Sequence, residues 1–252
     1  MILHPLVNTV KECVAANHLF TSQDKLLLAV SGGMDSMVLW QVLLQLGYQP
    51  GILHCNFQLR GAESAGDEVF VEAYAAQTGC PLWSKRFDTE NFAQDNGISI
   101  QMAARELRYT FFEEIRSREG YDYILTAHHL DDRLETFWLN FSRGTGLKGL
   151  VALSYQSGKL RRPLLAVNRQ AIAQYQADCN IPFREDSSNE KDAYQRNAFR
   201  HHVLPALYQW MPDMAQRAMT NFSRLEEMWL LEQEAVKAFV IQHSSWVGDT
   251  RN

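Results

Sequence analysis

The stretch Leu26–Ser36, LLLAVSGGMDS, decides the predicted fold of this chain. Five mostly aliphatic residues are followed at once by two glycines, and a helix-length segment begins near Ser36. A buried strand that turns through glycines into a helix presents backbone N–H groups at the helix N-terminus, where the helix dipole favours an anion. The stretch therefore predicts a strand, a glycine-rich turn and a phosphate-binding helix N-terminus in direct succession.

Outward from this stretch, strand-like runs alternate with helix-length segments. After 26–30, the predicted strands cover 51–55, 81–87 and 123–127, and RRPLLAV (161–167) is predicted to hold one more. Helices are predicted near 36–46, 64–77, 100–118, 131–142, 168–180, 194–208 and 212–243. This rhythm predicts an α/β fold, an open, mostly parallel twisted sheet of Rossmann-like type with helices on both faces, followed by a smaller helical segment.

Length and composition narrow the class of protein. The 252 residues suit one α/β domain with an appendage, so we expect a catalytic domain over 1–210. Residues 211–252 are expected to form a helical linker, or the start of a C-terminal region that the sequence lacks. No apolar run approaches the roughly 20 residues of a membrane span, and the N-terminal segment predicts an amphipathic helix instead of a signal peptide. We therefore expect a cytoplasmic protein without a membrane partner.

The residues of SGGMDS suit a bound polyphosphate. The predicted cofactor-binding residues are Ser31, Gly32, Gly33, Met34, Asp35 and Ser36. The glycines let backbone N–H groups approach the anion, the serine hydroxyls add donors, and the Asp35 carboxylate suits Mg²⁺ bound together with phosphates. A tight turn with a serine helix cap is the alternative interpretation.

Two other nucleotide-binding patterns are not supported. The Walker A pattern is absent from the sequence, which excludes a P-loop kinase or GTPase. GTGLKG (144–149) matches the dinucleotide pattern G-x-G-x-x-G, but it follows a predicted helix instead of a strand and no helix clearly opens behind it. We therefore interpret it as a flexible or substrate-covering loop.

A second cluster lies in AHHLDDRLETFWLNF (127–141). Helical spacing places four apolar residues on one stripe, Leu134, Phe137, Trp138 and Phe141, and four polar ones opposite, Asp131, Asp132, Glu135 and Thr136. Because this helix follows a predicted strand, the acidic residues are expected at the carboxyl edge of the sheet, where open parallel sheets bind ligands. The alternatives are recognition of a cationic or metal-bound substrate, a metal centre of a hydrolase, or a solvated acidic face.

Basic residues form two pairs with helical spacing. Arg105 and Arg108 lie three apart in AARELRYTFF, and Arg196 and Arg200 lie four apart in a segment that is locally basic. Paired guanidinium groups suit a polyphosphate or an RNA backbone. The whole chain carries a net charge of −5, so any RNA contact is expected from such local patches.

Taken in order, these motifs resemble the tRNA(Ile)-lysidine synthetase family of the PP-loop ATP pyrophosphatase superfamily. The resemblance is carried by LLLAVSGGMDS, HCNFQLR, AARELRYTFF, TAHHLDDRLET, RGTGLKGL, RRPLL and EDSSNEKDAYQRNAFR, over roughly residues 20 to 205. HCNFQLR departs from the family, which commonly has a second histidine where this chain has Phe57. No histidine role is therefore carried over to that position.

The resemblance implies a ligase that uses ATP to adenylate C2 of the wobble cytidine of tRNA(Ile) with a CAU anticodon. Lysine then displaces AMP to give lysidine, and pyrophosphate is the other product. The implied cofactors are ATP and Mg²⁺, the implied partners are that tRNA and L-lysine, and a homodimer is a possible assembly.

The resemblance also implies roles for individual residues. The implied catalytic residues are Asp35, Arg105, Arg108, Asp132 and Glu135. The implied substrate-binding residues are His128, Asp132, Glu135, Arg196 and Arg200, and Asp35 is the implied Mg²⁺ ligand.

Three alternatives stay open at this point. A PP-loop tRNA thiolase would use the same ATP loop, although the four cysteines show no C-x-x-C spacing. A metallohydrolase would be built on His128, His129, Asp131 and Asp132. An adenine-nucleotide sensor would bind ATP without releasing pyrophosphate.

Overall fold

The computed structural model describes residues 3–151, 153–185 and 198–244. The strands are β1 (Leu26–Ala29), β2 (Gly51–Asn56), β3 (Leu82–Arg86), β4 (Tyr123–Leu125), β5 (Gln156–Ser157) and β6 (Leu160–Arg161). The α-helices are α1 (Pro5–Ala16), α2 (Met34–Gln45), α3 (Ala62–Thr78), α4 (Thr89–Asp95), α5 (Ile100–Arg118), α6 (Leu130–Ser142), α7 (Leu147–Leu150), α8 (Arg169–Cys179), α9 (Leu204–Trp210) and α10 (Met214–Ser244). A 3₁₀-helix covers Pro163–Ala166, and a π-helical turn covers Phe199–Val203.

The strands form one sheet in the order β3-β2-β1-β4-β6-β5, and only the β5–β6 pair is antiparallel. β1 is central, with Leu27 opposite both Gly51 of β2 and Ile124 of β4. The chain therefore winds outward from β1 in both directions. In such sheets the crevice for ligands lies beyond the carboxyl end of the strand where the winding reverses, which here is the end of β1.

Alternating residues of β1 pack against helices on opposite faces of the sheet. Leu26 and Leu28 lie in the larger buried cluster, which also takes apolar residues of α1, α2, α3 and α8. Leu27 lies in the smaller one, with Phe111 and Ile115 of α5. A strand covered on both faces must be apolar throughout, which is why LLLAV has no polar alternation. The predicted α/β fold, with its mostly parallel sheet and helices on both faces, is confirmed.

The chain divides into two compact units. The first comprises Met1–Leu130 and Tyr155–Lys191 and contains the whole sheet. The second comprises Asp131–Ser154 and Asp192–Asn252 and contains the rest of α6 with α7, α9 and α10. The predicted domain boundary at residue 210 stays a prediction.

Some predicted elements were wrong in detail. The strand expected over RRPLLAV is confined to Leu160–Arg161, and a 3₁₀-helix follows. Pro163 explains the early end of the strand, since it has no N–H group for a sheet hydrogen bond and its fixed φ suits the first turn of a helix. A short helix does open behind the first two glycines of GTGLKG, at Leu147. Helix α4 was not predicted, and residues 194–197 of a predicted helix lie outside the described residues.

Among the described residues, none of the helices combines the length and the apolar character that crossing a membrane requires.

Candidate active site

The residues Ser31–Ser36, here called the glycine loop, join β1 to α2. Gly32 has φ +92°, a left-handed conformation that favours glycine, and Gly33 is the N-cap of α2 with φ −74°. The Ser31 hydroxyl accepts the Gly33 N–H at 3.2 Å, and the Ser36 hydroxyl donates to the Gly33 carbonyl at 2.9 Å. The loop therefore turns tightly and brings the N-terminus of a 12-residue helix to the end of β1.

Strand β2 holds Val30, the residue that precedes the glycine loop, through two contacts. The buried ring of His54, which lies within β2, has Nδ1 2.9 Å from the Val30 carbonyl oxygen. Since a carbonyl oxygen can only accept, Nδ1 is the protonated nitrogen in this contact. The Val30 N–H donates to the Leu53 carbonyl at 2.9 Å, so both polar backbone groups of the residue before the loop are engaged.

The structure brings His129 to the glycine loop. Asp35, in the first turn of α2, has an Oδ2 atom 3.7 Å from Nε2 of the buried His129. His128 contacts Thr126 instead, with 2.9 Å between its Nδ1 and the threonine hydroxyl. The Asp35 side chain keeps 34% of its surface exposed, although its Oδ1 atom is itself buried.

These residues fit Mg²⁺ that arrives with phosphates. In the described part of the chain no three His, Cys, Asp or Glu side chains are grouped to hold a metal ion. Mg²⁺ commonly uses one or two carboxylates together with substrate phosphates and water, and Asp35 beside the helix N-terminus offers such a carboxylate. The alternative hydrolase centre on His128, His129, Asp131 and Asp132 does not form such a group.

A Gly32→Ala substitution tests the loop geometry. A Cβ at Gly32 would meet Phe70 and Val71 at ordinary distances of 3.5 and 3.6 Å, so its cost is the backbone strain of φ +92°. We expect about 1–2 kcal/mol of destabilisation and, because the loop must relax, ATP affinity at least tenfold lower. Thermal unfolding and calorimetric titration with ATP measure the two effects.

Gly47→Ala is the matched control. Gly47 has φ +86°, nothing lies within 4 Å of the position that a Cβ would take there, and it follows the far end of α2. It should lose similar stability and keep its ATP affinity. Equal ATP affinity in both variants would contradict the role of the loop.

In the second unit, Asp132 and Glu135 form a carboxylate pair around one nitrogen atom. Nη2 of Arg200 donates to Oδ1 of Asp132 and to Oε2 of Glu135, each at 2.9 Å. The two acids lie three apart on α6, which puts them on one helix face. The side chain of Glu135 is 2% exposed and that of Asp132 18%, so the pair is largely removed from water. The pair therefore holds the cationic guanidinium of Arg200.

Asp131, the third acidic residue at the start of α6, contacts a tyrosine. The Tyr208 hydroxyl donates to Oδ1 of Asp131 at 2.7 Å. Burial raises the pKa of Tyr208, and the adjacent Asp131 carboxylate raises it further, so the phenol stays protonated and keeps donating. This bond links α6 to α9.

A buried arginine fixes α6 to α10. Arg133, of which 1% of the side chain is exposed, donates from Nη2 to Oε1 of Glu226 at 2.7 Å, and its guanidinium carbon lies 4.2 Å from the centre of the Phe222 ring. Burial raises the pKa of Glu226, and Arg133 opposes that shift. Arg133 thus positions the helix that carries the carboxylate pair.

Burial on α6 does not follow the predicted division into an apolar stripe and a polar face. Phe141, assigned to the apolar stripe, is 57% exposed, whereas Asp131 and Glu135, on the face opposite the stripe, are 5% and 2% exposed. The acids are buried because Tyr208 and Arg200 contact them, so this is not a solvated acidic face.

The four arginines predicted to bind phosphate or RNA differ in their surroundings. Arg200, expected to contact RNA, is engaged by the carboxylate pair and lies in the π-helical turn, a feature often found at functional sites. Arg196 lies outside the described residues. Arg105 lies over the Tyr109 ring at 4.8 Å and Arg108 over the Phe57 ring at 5.1 Å, so both cations rest on aromatic faces of the first unit.

Arg162, Asp67 and Arg184 were not singled out from the sequence, whereas Arg60 of HCNFQLR was a possible ligand contact. Arg162 is 6% exposed, and its pKa is lowered by burial and by the nearby Arg105, against the effect of Tyr109. Arg60 and Arg184 both donate to the Asp67 carboxylate of α3, at 2.8 and 2.6 Å. A buried carboxylate between two arginines has no periodic signal in the sequence, since its partners are 7 and 117 residues away.

The family model described as "PP-loop domain" matches residues 4–207, which is most of the chain. The chain belongs to the PP-loop family. The match includes the glycine loop, α6 and Arg200, and it confirms the ATP-binding fold expected from LLLAVSGGMDS.

Three curated relatives of this PP-loop protein are named tRNA(Ile)-lysidine synthase. The tRNA(Ile)-lysidine synthase of Porphyromonas gingivalis strain W83 is 40% identical over 236 residues, which cover 93% of this chain and 52% of that protein. The synthase of Bacteroides thetaiotaomicron is 41% identical, covering 85% and 50%, and that of Bacillus subtilis is 36% identical, covering 84% and 46%. The chain thus spans about half the length of these relatives.

Solved structures of PP-loop type share the fold. The U34-tRNA thiolase from Methanococcus maripaludis, which holds a [4Fe-4S] cluster, superposes with a TM-score of 0.72 at 16% identity, covering 88% of this chain and 78% of that one. An NMN synthetase from Francisella tularensis gives a TM-score of 0.51 at 12% identity, covering 88% and 90%. At these identities the likeness concerns the fold alone.

Proposed function

We propose that this PP-loop protein makes lysidine in tRNA(Ile) with a CAU anticodon. ATP would adenylate the C2 oxygen of the wobble cytidine, and the side-chain amine of lysine would then displace AMP at C2. The observation that carries the proposal is the carboxylate pair, which holds a cationic nitrogen in a chain whose curated relatives are named tRNA(Ile)-lysidine synthase.

The glycine loop would perform the ATP half of the reaction. Pyrophosphate departure develops negative charge, and the backbone N–H groups at the N-terminus of α2 together with the Ser31 hydroxyl are donors suited to it. The Ser36 hydroxyl, which donates to the Gly33 carbonyl, would keep the loop in shape. Asp35 would hold Mg²⁺, which supplies charge neutralisation at the phosphates when bound. His129, 3.7 Å from Asp35, would orient that carboxylate.

The carboxylate pair would perform the lysine half. Nη2 of Arg200 is a single nitrogen that donates to both acids at 2.9 Å, and it stands in for the ammonium nitrogen of a lysine substrate. An ammonium nitrogen has three donors, so it can satisfy both carboxylates in the same position. One of the acids would accept the proton that lysine must lose before its amine can attack.

The tRNA would contact local basic groups of a chain with net charge −5. Arg105, Arg108 and Arg196 are the candidates, because the first two are cations on exposed or half-buried positions of α5 and the third belongs to the basic segment that precedes Arg200. The proposal also includes Mg²⁺, free lysine and a homodimer as expected partners, and a cytoplasmic location.

Thiol chemistry is disfavoured by the state of two cysteines. Burial raises the pKa of the Cys13 and Cys55 thiols to about 12, so both stay protonated near neutral pH. Sulfur delivery and cluster binding need thiolates. Cys13 and Cys55 are therefore poorly suited to the thiolate chemistry of a thiolase.

Incubation with ATP, radiolabelled lysine and a tRNA(Ile) transcript tests the proposal. We expect label in the RNA, with AMP and pyrophosphate released in equal amounts. A transcript with uridine at the wobble position is the matched control and should stay unlabelled. An ATP-binding preparation that leaves both transcripts unlabelled would refute the proposed activity of this chain.

A further inference from the structure

Arg184 is tied to the glycine loop through its backbone. Its N–H donates to the Gly32 carbonyl at 3.0 Å. In a trans peptide the C=O and the following N–H point in opposite directions, so this bond fixes the direction of the Gly33 N–H. That N–H is turned toward the Ser31 hydroxyl, which accepts it at 3.2 Å. The backbone of Arg184 therefore holds the Gly32–Gly33 peptide of the loop in its orientation.

The side chain of Arg184 is held beside the same loop. Nε donates to Oδ1 of Asp67 at 2.6 Å, and Asp67 is 7% exposed. The Cβ of Asp67 lies 4.0 Å from the position that a Cβ on Gly32 would take, so the partner of Arg184 touches the loop. A Cβ on Gly66 would come within 2.9 Å of Nη2 of Arg184, so glycine at position 66 lets the guanidinium lie against α3.

The Arg184 guanidinium has N–H donors beyond the one that contacts Asp67. Within the described residues its hydrogen bond to Asp67 uses Nε, whereas four of the five N–H donors of an arginine lie on Nη1 and Nη2. The side chain is 40% exposed. Asp67 also binds Arg60, which lies 3.9 Å from Glu63. The Nη1 and Nη2 donors of Arg184 can bind an added anion while Nε stays on Asp67.

We propose that Arg184 binds the β- and γ-phosphates of ATP and holds the pyrophosphate as it leaves. This inference rests on the proposed function only for the ATP half of the reaction. In that step the bond from the α-phosphorus to the bridging oxygen breaks, its electron pair stays on the pyrophosphate, and a bond forms to the cytidine C2 oxygen. A fork of two guanidinium nitrogens suits the charge that grows on the departing group.

Titration of the chain with pyrophosphate alone, followed by calorimetry, tests this role. Arg184→Met removes the guanidinium but keeps the backbone N–H that holds Gly32, so the loop stays oriented. We expect about 10- to 100-fold weaker pyrophosphate binding, the usual range for losing a charged hydrogen-bonding group. Arg184→Lys should retain part of the affinity, and Gly66→Ala should weaken binding by displacing the guanidinium.

Arg86→Met is the matched control. Arg86 donates from Nε to Oε2 of Glu68 at 2.7 Å, so it binds the next carboxylate on α3 without reaching the loop. Burial alone would raise the pKa of Glu68, but hydrogen bonds from Asn56, Arg86 and Ser84 hold it below its ordinary value. The control should bind pyrophosphate as the parent chain does.

The outcomes separate this inference from the proposed function. Weaker binding in Arg184→Met with unchanged binding in Arg86→Met supports the inference. Equal pyrophosphate affinity in Arg184→Met and the parent chain overturns it, as does equal weakening in Arg86→Met. If the parent chain binds pyrophosphate but never labels tRNA with lysine, the lysidine activity fails and the titration still decides the role of Arg184. A parent chain that binds neither pyrophosphate nor ATP overturns both.

Discussion

Glu135→Gln is expected to raise the lysine concentration needed for half-maximal lysidine formation by about 100-fold. The amide keeps the shape of the side chain but removes a buried negative charge that faces a cation, and the loss of such a charged bond costs about 1.5–3 kcal/mol. Because Glu135 is proposed to act only in the lysine step, pyrophosphate release with tRNA should persist. Lysine titration with labelled tRNA and ATP–pyrophosphate exchange without lysine measure the two halves separately.

Glu227→Gln serves as its control, since Glu227 is an exposed acid of α10 beside the half-buried Glu226. It should match the parent chain in both assays. If Glu135→Gln needs no more lysine than the parent chain does, the carboxylate pair does not bind lysine. The same conclusion follows if the substitution reduces lysine incorporation and ATP–pyrophosphate exchange equally.

Asp35→Ala is expected to reduce tRNA-dependent pyrophosphate release by about 1000-fold. The carboxylate in the first turn of α2 is the group proposed to hold Mg²⁺ at the phosphates, and removing one group that stabilises transition-state charge typically costs 100- to 1000-fold in rate. ATP–pyrophosphate exchange over a range of Mg²⁺ concentrations measures the effect. Asp35→Asn should be nearly as defective, because the amide is a poor ligand for this cation.

Asp95→Ala is the corresponding control, because Asp95 is an exposed acid at the end of α4. Pyrophosphate release within a fewfold of the parent rate in Asp35→Ala, at equal thermal stability, would show that Asp35 does not act in adenylation.

The sequence predicted those features whose causes are local. LLLAVSGGMDS specifies β1, the glycine loop and the start of α2 within 11 residues, because a doubly covered strand, a left-handed glycine and a helix N-cap each leave their own residue pattern. The spacing of Asp132 and Glu135 likewise placed both acids on one helix face. The prediction of a strand over RRPLLAV was wrong in extent, because Pro163 starts a 3₁₀-helix inside the apolar run.

Long-range contacts explain what the sequence did not predict. Arg200 reaches Asp132 and Glu135 across 68 and 65 residues, and Arg184 reaches Asp67 across 117. Side-chain periodicity reports only which residues share a face, so neither the burial of Glu135 nor its arginine partner could be inferred from it. The predicted roles of Asp35, Arg105, Arg108 and the carboxylate pair stay predictions until the variants are measured.

The contact between Arg200 and the carboxylate pair bears on the choice of amino acid. A pair that accepts a guanidinium nitrogen at both acids does not reject arginine by charge or by hydrogen-bond capacity. The two side chains differ in reactivity, however, because a lysine ammonium, with a pKa near 10.4, can give up a proton, whereas an arginine guanidinium has a much higher pKa and keeps all of its protons. Arginine held there would stay unreactive, so discrimination would be kinetic, exercised when the nitrogen must become a nucleophile.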